Sequence, residues 1–320
     1  MKTILVSGAS GIIGYGILRS LKKSGREFKL IGTTIYDDSV APGFCDIFEQ
    51  APLTSDPKYI EWLLSIIKKH NVEMIIPGIE ADMYTWVENR SLLNGNGALI
   101  LLNNPELISL CNDKWVFYKK LEEANSPYRI ETTLNPDFEF LRTEFGLPFL
   151  LKPKQGHGSK GIVRVNDKET FLNHHSAIGD ILKVQPIIGN DNEEFTTSAF
   201  CDGNGGFYTS ITLRRKLAKD GYTEKAEVII IDGMDEAIKN LCELFKPIGP
   251  TNFQFRKDEI GLKLLEINPR ISSSTSLRTA FGYNESLMAV DFFLENKIPE
   301  QPVILAGRAV RYTEDLIFYA

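Results

Sequence analysis

The sequence predicts a mixed α/β and α+β protein, an N-terminal parallel-sheet domain followed by a region built around antiparallel strands. Three stretches carry that prediction: a strand, glycine turn and helix at the start; an apolar strand at 148–153 that ends on a lysine and opens into a glycine-rich loop; and a pair of strands at 251–270 with one apolar and one polar face. The chain has 320 residues, 43% hydrophobic and 24% charged, enough for about two or three subdomains with real cores. Its net charge of −6 argues against generic nucleic-acid or anionic-membrane binding and leaves small molecules as the expected partners.

Ile4-Leu5-Val6 reads as a buried strand, and Gly8, Gly11 and Gly14 follow as a tight turn into a helix with Ile13, Ile17, Leu18 and Leu21 on one face. Further strands are expected at 29–33, 74–77 and 98–102, with an amphipathic helix at 59–70. Alternating β and α elements imply a parallel sheet covered on both faces. Glycines at this spacing resemble the turn of NAD(P)-binding short-chain dehydrogenase-type proteins. That class would also want a Tyr-x-x-x-Lys pair, and no tyrosine here has lysine four residues later. In this domain Glu80 and Asp82 lie just after a strand, where open α/β sheets bind ligands; contact with a substrate amine and a helix N-terminal role are both open to them.

Asn112-Asp113-Lys114 opens a helix expected over 115–124. Pro148 to Pro153 forms the apolar strand, and Lys152 is set into its end; a soluble protein rarely buries lysine without a partner, and phosphate is a natural one. The loop that follows carries Gly156, Gly158 and Gly161, which allow backbone amides to converge on phosphate oxygens. It is not a Walker A loop, which would need a Gly-Lys-Ser/Thr end.

At 251–270 the alternation puts Phe253 and Phe255 on one side of a first strand, opposite Asn252, Gln254 and Arg256; in a second strand Leu265 and Ile267 oppose Glu266 and Asn268. A turn centred near Ile260 sets Gln254 across from Glu266. Gln254, Glu266 and Asn268 then form a patch of hard oxygen ligands suited to Mg²⁺. Arg270, past a proline, adds an anion contact beside it.

The run Asn-Phe-Gln-Phe followed by Leu-Leu-Glu-Ile-Asn-Pro-Arg-Ile-Ser-Ser-Ser-Thr-Ser-Leu resembles the metal-binding part of the ATP-grasp superfamily, above all the units of the carbamoyl-phosphate synthase large subunit. The resemblance implies a Rossmann-like pre-ATP-grasp domain over 1–104 and a two-part ATP-grasp domain over 105–320, with a lid at about 125–184 and a C-terminal subdomain at about 185–320. It implies ATP and Mg²⁺, or Mn²⁺, as cofactors. Lys114 and Lys152 would reach the nucleotide phosphates, with Gly156, Gly158, Ser159 and Gly161 in the phosphate loop. Gln185, Pro186, Ile187 and Ile188 would contact adenine, and Glu194, with Glu193 the other choice, would bind ribose. Arg270, Lys152 and Arg215 would be the catalytic cations, and the hydroxyl-rich segment from Ser272 to Arg278 would line the substrate pocket.

The implied activity is that of an ATP-dependent carboxylate-amine ligase. It would activate a carboxylate as an acyl phosphate and join it to an amine, with release of ADP and phosphate. Phosphorylation of bicarbonate or carbamate, as in carbamoyl-phosphate synthase, is the alternative within the class; an NAD(P)-binding protein is the alternative outside it. Cys45, Cys111, Cys201 and Cys242 show no C-x-x-C or Cys/His ligand spacing, so neither disulfides nor zinc are expected and a reducing cytoplasm fits. Met1 leads directly into a strand and no apolar run approaches the roughly 20 residues that span a bilayer. A cytoplasmic enzyme is therefore expected, free of membrane, with a homodimer as the common default.

Overall fold

The computed structural model describes residues 1–156, 160–190, 192–218 and 221–318. Its first sheet comprises β1 (Lys2–Val6), β2 (Phe28–Thr34), β3 (Ile47–Gln50), β4 (Met74–Ile76) and β5 (Leu99–Ile100), all parallel, in the order β3-β2-β1-β4-β5. Ile4, Leu5 and Val6 are fully buried because both faces of the sheet are covered. The helix Ile12–Lys22 packs Ile17, Leu18 and Leu21 on one face; the helix Tyr59–His70 packs Leu63, Ile66 and Ile67 on the other. Ile13 is only partly buried at the margin of its cluster.

The glycine turn serves close backbone packing. Gly8 has φ of +57°, and a Cβ on Gly14 would lie 2.2 Å from the Gly8 carbonyl oxygen. Gly78, after β4, is pressed against the same turn, since its Cβ would stand 2.1 Å from Ser7 O. This packing accounts for the spacing of the pattern at 8, 11 and 14.

A second, three-stranded sheet contains β6 (Phe149–Pro153), β7 (Val163–Val165) and β8 (Leu182–Pro186), antiparallel in the order β7-β6-β8. It has its own core of Phe138, Leu141, Phe149, Phe171 and Val184. The strand β8 runs past residue 184, so the expected edge of the lid falls inside a strand.

The third sheet has six strands in the order β13-β12-β9-β10-β11-β14: β9 (Glu194–Asp202), β10 (Phe207–Leu217), β11 (Thr223–Val228), β12 (Ile248–Lys257), β13 (Leu262–Asn268) and β14 (Arg308–Val310). One face is apolar and is covered by the helix Met234–Phe245, whose Ala237, Ile238, Leu241 and Phe245 share a core with Phe195, Phe253, Phe255 and Leu264. Because side chains alternate along each strand, the other face carries Glu194, Thr196, Ser198, Asn252, Gln254 and Arg256.

One detail departs from the alternation read in the sequence. Gln254 does pair with Glu266, but the register shifts immediately afterwards, and Phe255 pairs with Leu264. That β-bulge leaves Leu265 without a cross-strand partner, so Leu264 rather than Leu265 enters the core with Ile267. In the helix Glu285–Glu295 the buried residues are Glu285, Ser286, Ala289 and Val290, whereas Leu287, Met288 and Phe292 are only partly covered.

Contacts cross the expected boundary at 104. Asn103 Nδ2 donates to Thr251 Oγ1 at 2.8 Å, and Asn103 Oδ1 accepts from the backbone of Ile248 at 2.9 Å. Arg26 pairs with both Asp291 and Glu295, and Ala289 and Val290 join the core under the parallel sheet.

Candidate functional site

The polar face of β12 and β13 gathers Gln254, Glu266 and Asn268. Asn268 Nδ2 donates to Glu266 Oε1 at 3.2 Å, which leaves Glu266 Oε2 free of intramolecular bonds among the described residues. Asn268 Oδ1 accepts from Arg270 Nη2 at 3.3 Å. Arg270 also pairs with Glu80, at the start of the helix Glu80–Glu88. The metal-type patch is therefore tied to the parallel sheet through one guanidinium. Among the described residues no three His, Cys, Asp or Glu side chains form a metal cluster. The set present, one carboxylate and two amide oxygens, suits an ion that takes its remaining ligands from water and phosphate.

Facing it is a group of lysines. Lys152 on β6 and Lys183 on β8 are directly opposite each other in the ladder, an arrangement that is destabilising for like charges. Lys183 is 4% exposed and its ammonium donates to the Lys114 carbonyl at 3.2 Å. Burial, with neighbouring cations acting in the same direction, lowers Lys183 to about 7 and Lys152 to about 8. Glu266 is the largest opposing charge felt by Lys152, which places the lysines against the patch. Lys114 begins the helix Lys114–Glu123, capped by Asp113 Oδ1 accepting from Trp115 and Val116 N–H at 2.8 and 3.1 Å. Its Nζ reaches the carbonyl of Gly156. Gly156 and Gly161 both have positive φ, +112° and +74°, which favours glycine. Gly158 and Ser159 lie outside the described residues.

The sequence reading missed Lys183. The signal was available: a lysine inside the strand pattern Leu182–Pro186 invites the same question as Lys152 on its own strand.

Four expectations are corrected. Arg215 is 7% exposed and wedged between Glu194 and Gln254; its Nε and Nη2 donate to Glu194 Oε1 at 3.1 and 3.0 Å, and Nη2 also reaches Gln254 Oε1. It sits behind the patch as a support for Gln254 and does not front the cleft as a catalytic cation. Glu194 also accepts two bonds at Oε2 from Arg256, at 3.1 and 2.9 Å. Four bonds fill the roughly four lone-pair sites of a carboxylate, so Glu194 has none left for ribose. Glu193 is half-buried and its Oε2 accepts one bond, from Asn190 at 2.8 Å.

Asp82 is buried under Thr54 and Tyr59, which donate to it at 2.6 and 2.8 Å, and does not face a substrate. In the hydroxyl-rich segment Ser272, Ser274, Thr275 and Arg278 are buried. Arg278 pairs with Glu285 at 3.1 Å and donates to Ser272, Thr196 and Asn252; Ser274 bonds Thr223 at 2.9 Å. These groups bond one another in the interior, although Arg278 Nε, Ser276 Oγ and Asn252 Nδ2 keep no partner there among the described residues. Of the segment expected at adenine, Gln185 donates to Thr132 Oγ1 at 2.7 Å and the Ile188 carbonyl accepts from Arg256 at 3.4 Å. Pro186 and Ile187 lie on the half-buried link toward β9.

The architecture is thus a parallel α/β domain, a small antiparallel sheet bearing Lys152 and Lys183, and a large antiparallel sheet bearing Glu266, whose charge acts on Lys152. Residues 189–316 match the family described as ATP-grasp in the biosynthetic pathway with Ter operon. The carbamoyl phosphate synthase large chain of Thermotoga neapolitana is 26% identical over 358 aligned positions, covering 100% of this chain and 32% of that one. The chain thus spans about a third of the length of this curated relative. N5-carboxyaminoimidazole synthetase from Staphylococcus aureus, complexed with ADP, superposes with a TM-score of 0.72 at 18% identity, covering 95% of this chain and 80% of that one. Biotin carboxylase from Campylobacter jejuni gives 0.71 at 16% identity, covering 96% and 74%. The chain thus matches an ATP-grasp family model over residues 189–316, shares its fold with solved ATP-grasp structures and resembles a single ATP-grasp unit of the carbamoyl phosphate synthase large chain. Among the described residues no helix is long and apolar enough to cross a membrane.

Proposed function

We propose that the chain is an ATP-dependent carboxylate-amine ligase whose nucleotide lies between the lysine-bearing sheet and the β12–β13 hairpin. The observation that carries this reading is the direct opposition of the half-buried Lys152 and the buried Lys183 beside Lys114. Such a group costs free energy unless an anion completes it. A polyphosphate matches it in charge and in size.

On this reading Lys114, Lys152 and Lys183 hold phosphate oxygens, with Gly156, Gly158, Ser159 and Gly161 in the loop above them. Gln254, Glu266 and Asn268 fit Mg²⁺ or Mn²⁺, which when bound neutralises phosphate oxygens. Gln185 to Ile188 meet the adenine and Glu193 is the better-placed ribose carboxylate. An oxygen of the substrate carboxylate attacks the terminal phosphorus and ADP leaves; an amine then attacks the acyl carbon and phosphate leaves. The lysines and Arg270 stabilise the charge that builds on the transferring group. The organisation that goes with this is a lid at about 125–184 over a subdomain at about 185–320, joined to the 1–104 domain, in which closing the lid excludes water from the acyl phosphate.

The similarity to carbamoyl phosphate synthase along the whole chain favours a second reading, in which the carboxylate is bicarbonate or carbamate. Measuring ADP release with Mg-ATP across a panel of carboxylates including bicarbonate, with and without an amine pool, tests both. Amine-stimulated release that disappears in Glu266→Ala supports the ligase. Release stimulated by bicarbonate alone selects the second reading, and full activity in Glu266→Ala refutes the assignment of the patch.

A further inference from the structure

The patch at Glu266 is the end of a line of polar side chains that starts in the parallel-sheet domain. Glu80 opens the helix Glu80–Glu88, just past Pro77 and Gly78, which are buried at the end of β4. Its Oε1 accepts from Arg270 Nη2. The same Nη2 donates to Asn268 Oδ1 at 3.3 Å, and Asn268 Nδ2 donates to Glu266 Oε1 at 3.2 Å. The backbone between Asn268 and Arg270 is stiff: Pro269 is buried, and the Arg270 N–H donates to the Asn268 carbonyl at 2.8 Å. Glu80 is thus linked to Glu266 through two side chains.

The guanidinium between them has few acceptors. The Arg270 side chain is 12% exposed, Nη1 donates to the carbonyl of Ile271 at 3.1 Å, and Nε is buried without a hydrogen-bond partner among the described residues. A charge so withdrawn from water is costly unless a counter-charge accompanies it. Among the described residues Glu80 is the carboxylate paired with it. Glu266 stands one amide beyond, with Oε2 free of intramolecular bonds among the described residues. Guanidinium takes carboxylates bidentately, so without Glu80 its charge would draw Arg270 onto Glu266. A carboxylate clasped in that way has lost the oxygens that a cation would take. A contact that only joined the two domains would need no side chain of the patch in the line, since Arg26 with Asp291 and Glu295 already joins them.

We infer that Glu80 is a positioning residue of the proposed ligase. By holding the Arg270 guanidinium it keeps Glu266 available to the Mg²⁺ that accompanies the nucleotide, and so makes the metal patch depend on the parallel-sheet domain. The inference rests on the ligase reading and deepens it with a residue that acts through Arg270.

The test is calorimetric titration of ADP into the full chain, once in excess Mg²⁺ and once in EDTA; the ratio of the two affinities is the contribution of the metal. The wild type is compared with Glu80→Gln, Glu80→Asp and the double variant Glu80→Gln/Arg270→Ala, with thermal melts to verify folding. In Glu80→Gln the ratio should fall about tenfold or more while the affinity in EDTA stays unchanged. Glu80→Asp, which keeps the charge one methylene short, should lie between. The double variant should recover the ratio, because no guanidinium remains to occupy Glu266; a purely structural role for Glu80 would not be rescued by a second deletion. A wild-type ratio retained in Glu80→Gln, or one lost equally in the double variant, overturns the inference and leaves the ligase reading standing. ADP binding that Mg²⁺ does not strengthen in the wild type overturns the inference together with the metal assignment of the patch, and no ADP binding in either buffer overturns it together with the ligase reading.

Discussion

Replacing Lys183 by Met separates what a buried cation costs the fold from what it contributes to ligand binding. Met keeps the length of the aliphatic stem and removes the charge. In the ligand-free protein Lys183 titrates near 7 instead of 10.5; at about 1.4 kcal/mol per pH unit this shift sets an upper bound of about 5 kcal/mol on the cost of its charge at neutral pH. Local relaxation and water entry reduce that, so a net gain of about 1–3 kcal/mol on removing the charge is expected. For a chain of this size each kcal/mol moves Tm by roughly 2–4 °C. Lys183→Met should therefore melt several degrees higher than the wild type without ligand, and bind Mg-ATP at least about tenfold more weakly. Differential scanning fluorimetry with and without Mg-ATP reads both. A variant that melts lower than the wild type without ligand, or binds Mg-ATP equally well, refutes the claim that the opposed lysines await a phosphate.

The lysines also give a pH dependence. Their folded values, about 7 and 8, lie below the ordinary 10.5, so between those limits the unfolded chain binds more protons and ligand-free stability should rise with pH; urea denaturation at pH 7 and pH 9 checks the sign. Mg-ATP binding should take up protons near pH 8 and weaken above it, which titration calorimetry in buffers of different ionisation enthalpy measures. Glu194→Gln should destabilise by about 3–5 kcal/mol because it leaves the buried Arg215 guanidinium short of its counter-charge, whereas Glu193→Gln should leave stability unchanged and raise the KM for ATP. Gly14→Ala should cost about 3 kcal/mol or more, since the added Cβ meets the Gly8 carbonyl at 2.2 Å and backbone cannot yield; equilibrium unfolding in urea tests this.

Much of the fold was legible because local rules dominated there. The alternation of strands and helices through residue 100 fixes a parallel sheet, and Asp113 is a helix cap by chemistry alone. The facing of Gln254 and Glu266 followed from alternation and turn length. What alternation cannot anticipate is a bulge: one extra residue reverses every later side chain, and so Leu264 took the place expected of Leu265. Residue type also misled where partners come from distant strands. Glu194, Arg215 and Arg256 lie on β9, β10 and β12, and only their assembly reveals that the three satisfy one another. Ser272 and Arg278 are expected from the sequence to line a substrate pocket because their residue types do not reveal that Glu285, at the start of the next helix, pairs with Arg278 in the interior.

On the proposed reading, the same assembly explains how a protein of net charge −6 would attract an anion. Around the cleft, Lys114, Lys152, Lys183, Arg215, Arg256 and Arg270 are opposed by Glu80, Asp113, Glu194 and Glu266 among the described residues. Of these carboxylates Glu194 is saturated, Asp113 caps a helix and Glu80 holds Arg270. Glu266 keeps Oε2 free of intramolecular bonds among the described residues, and it is the charge that Lys152 feels most strongly. Among the described residues Lys152 and Lys183 on the small sheet have no carboxylate in an ion pair with them, while the hairpin presents Glu266. An ion pair between the two sides would need no ligand if their charges balanced. On the proposed ligase reading, an added anion completes the lysine side, and Glu266 remains available for a cation that the anion would bring with it.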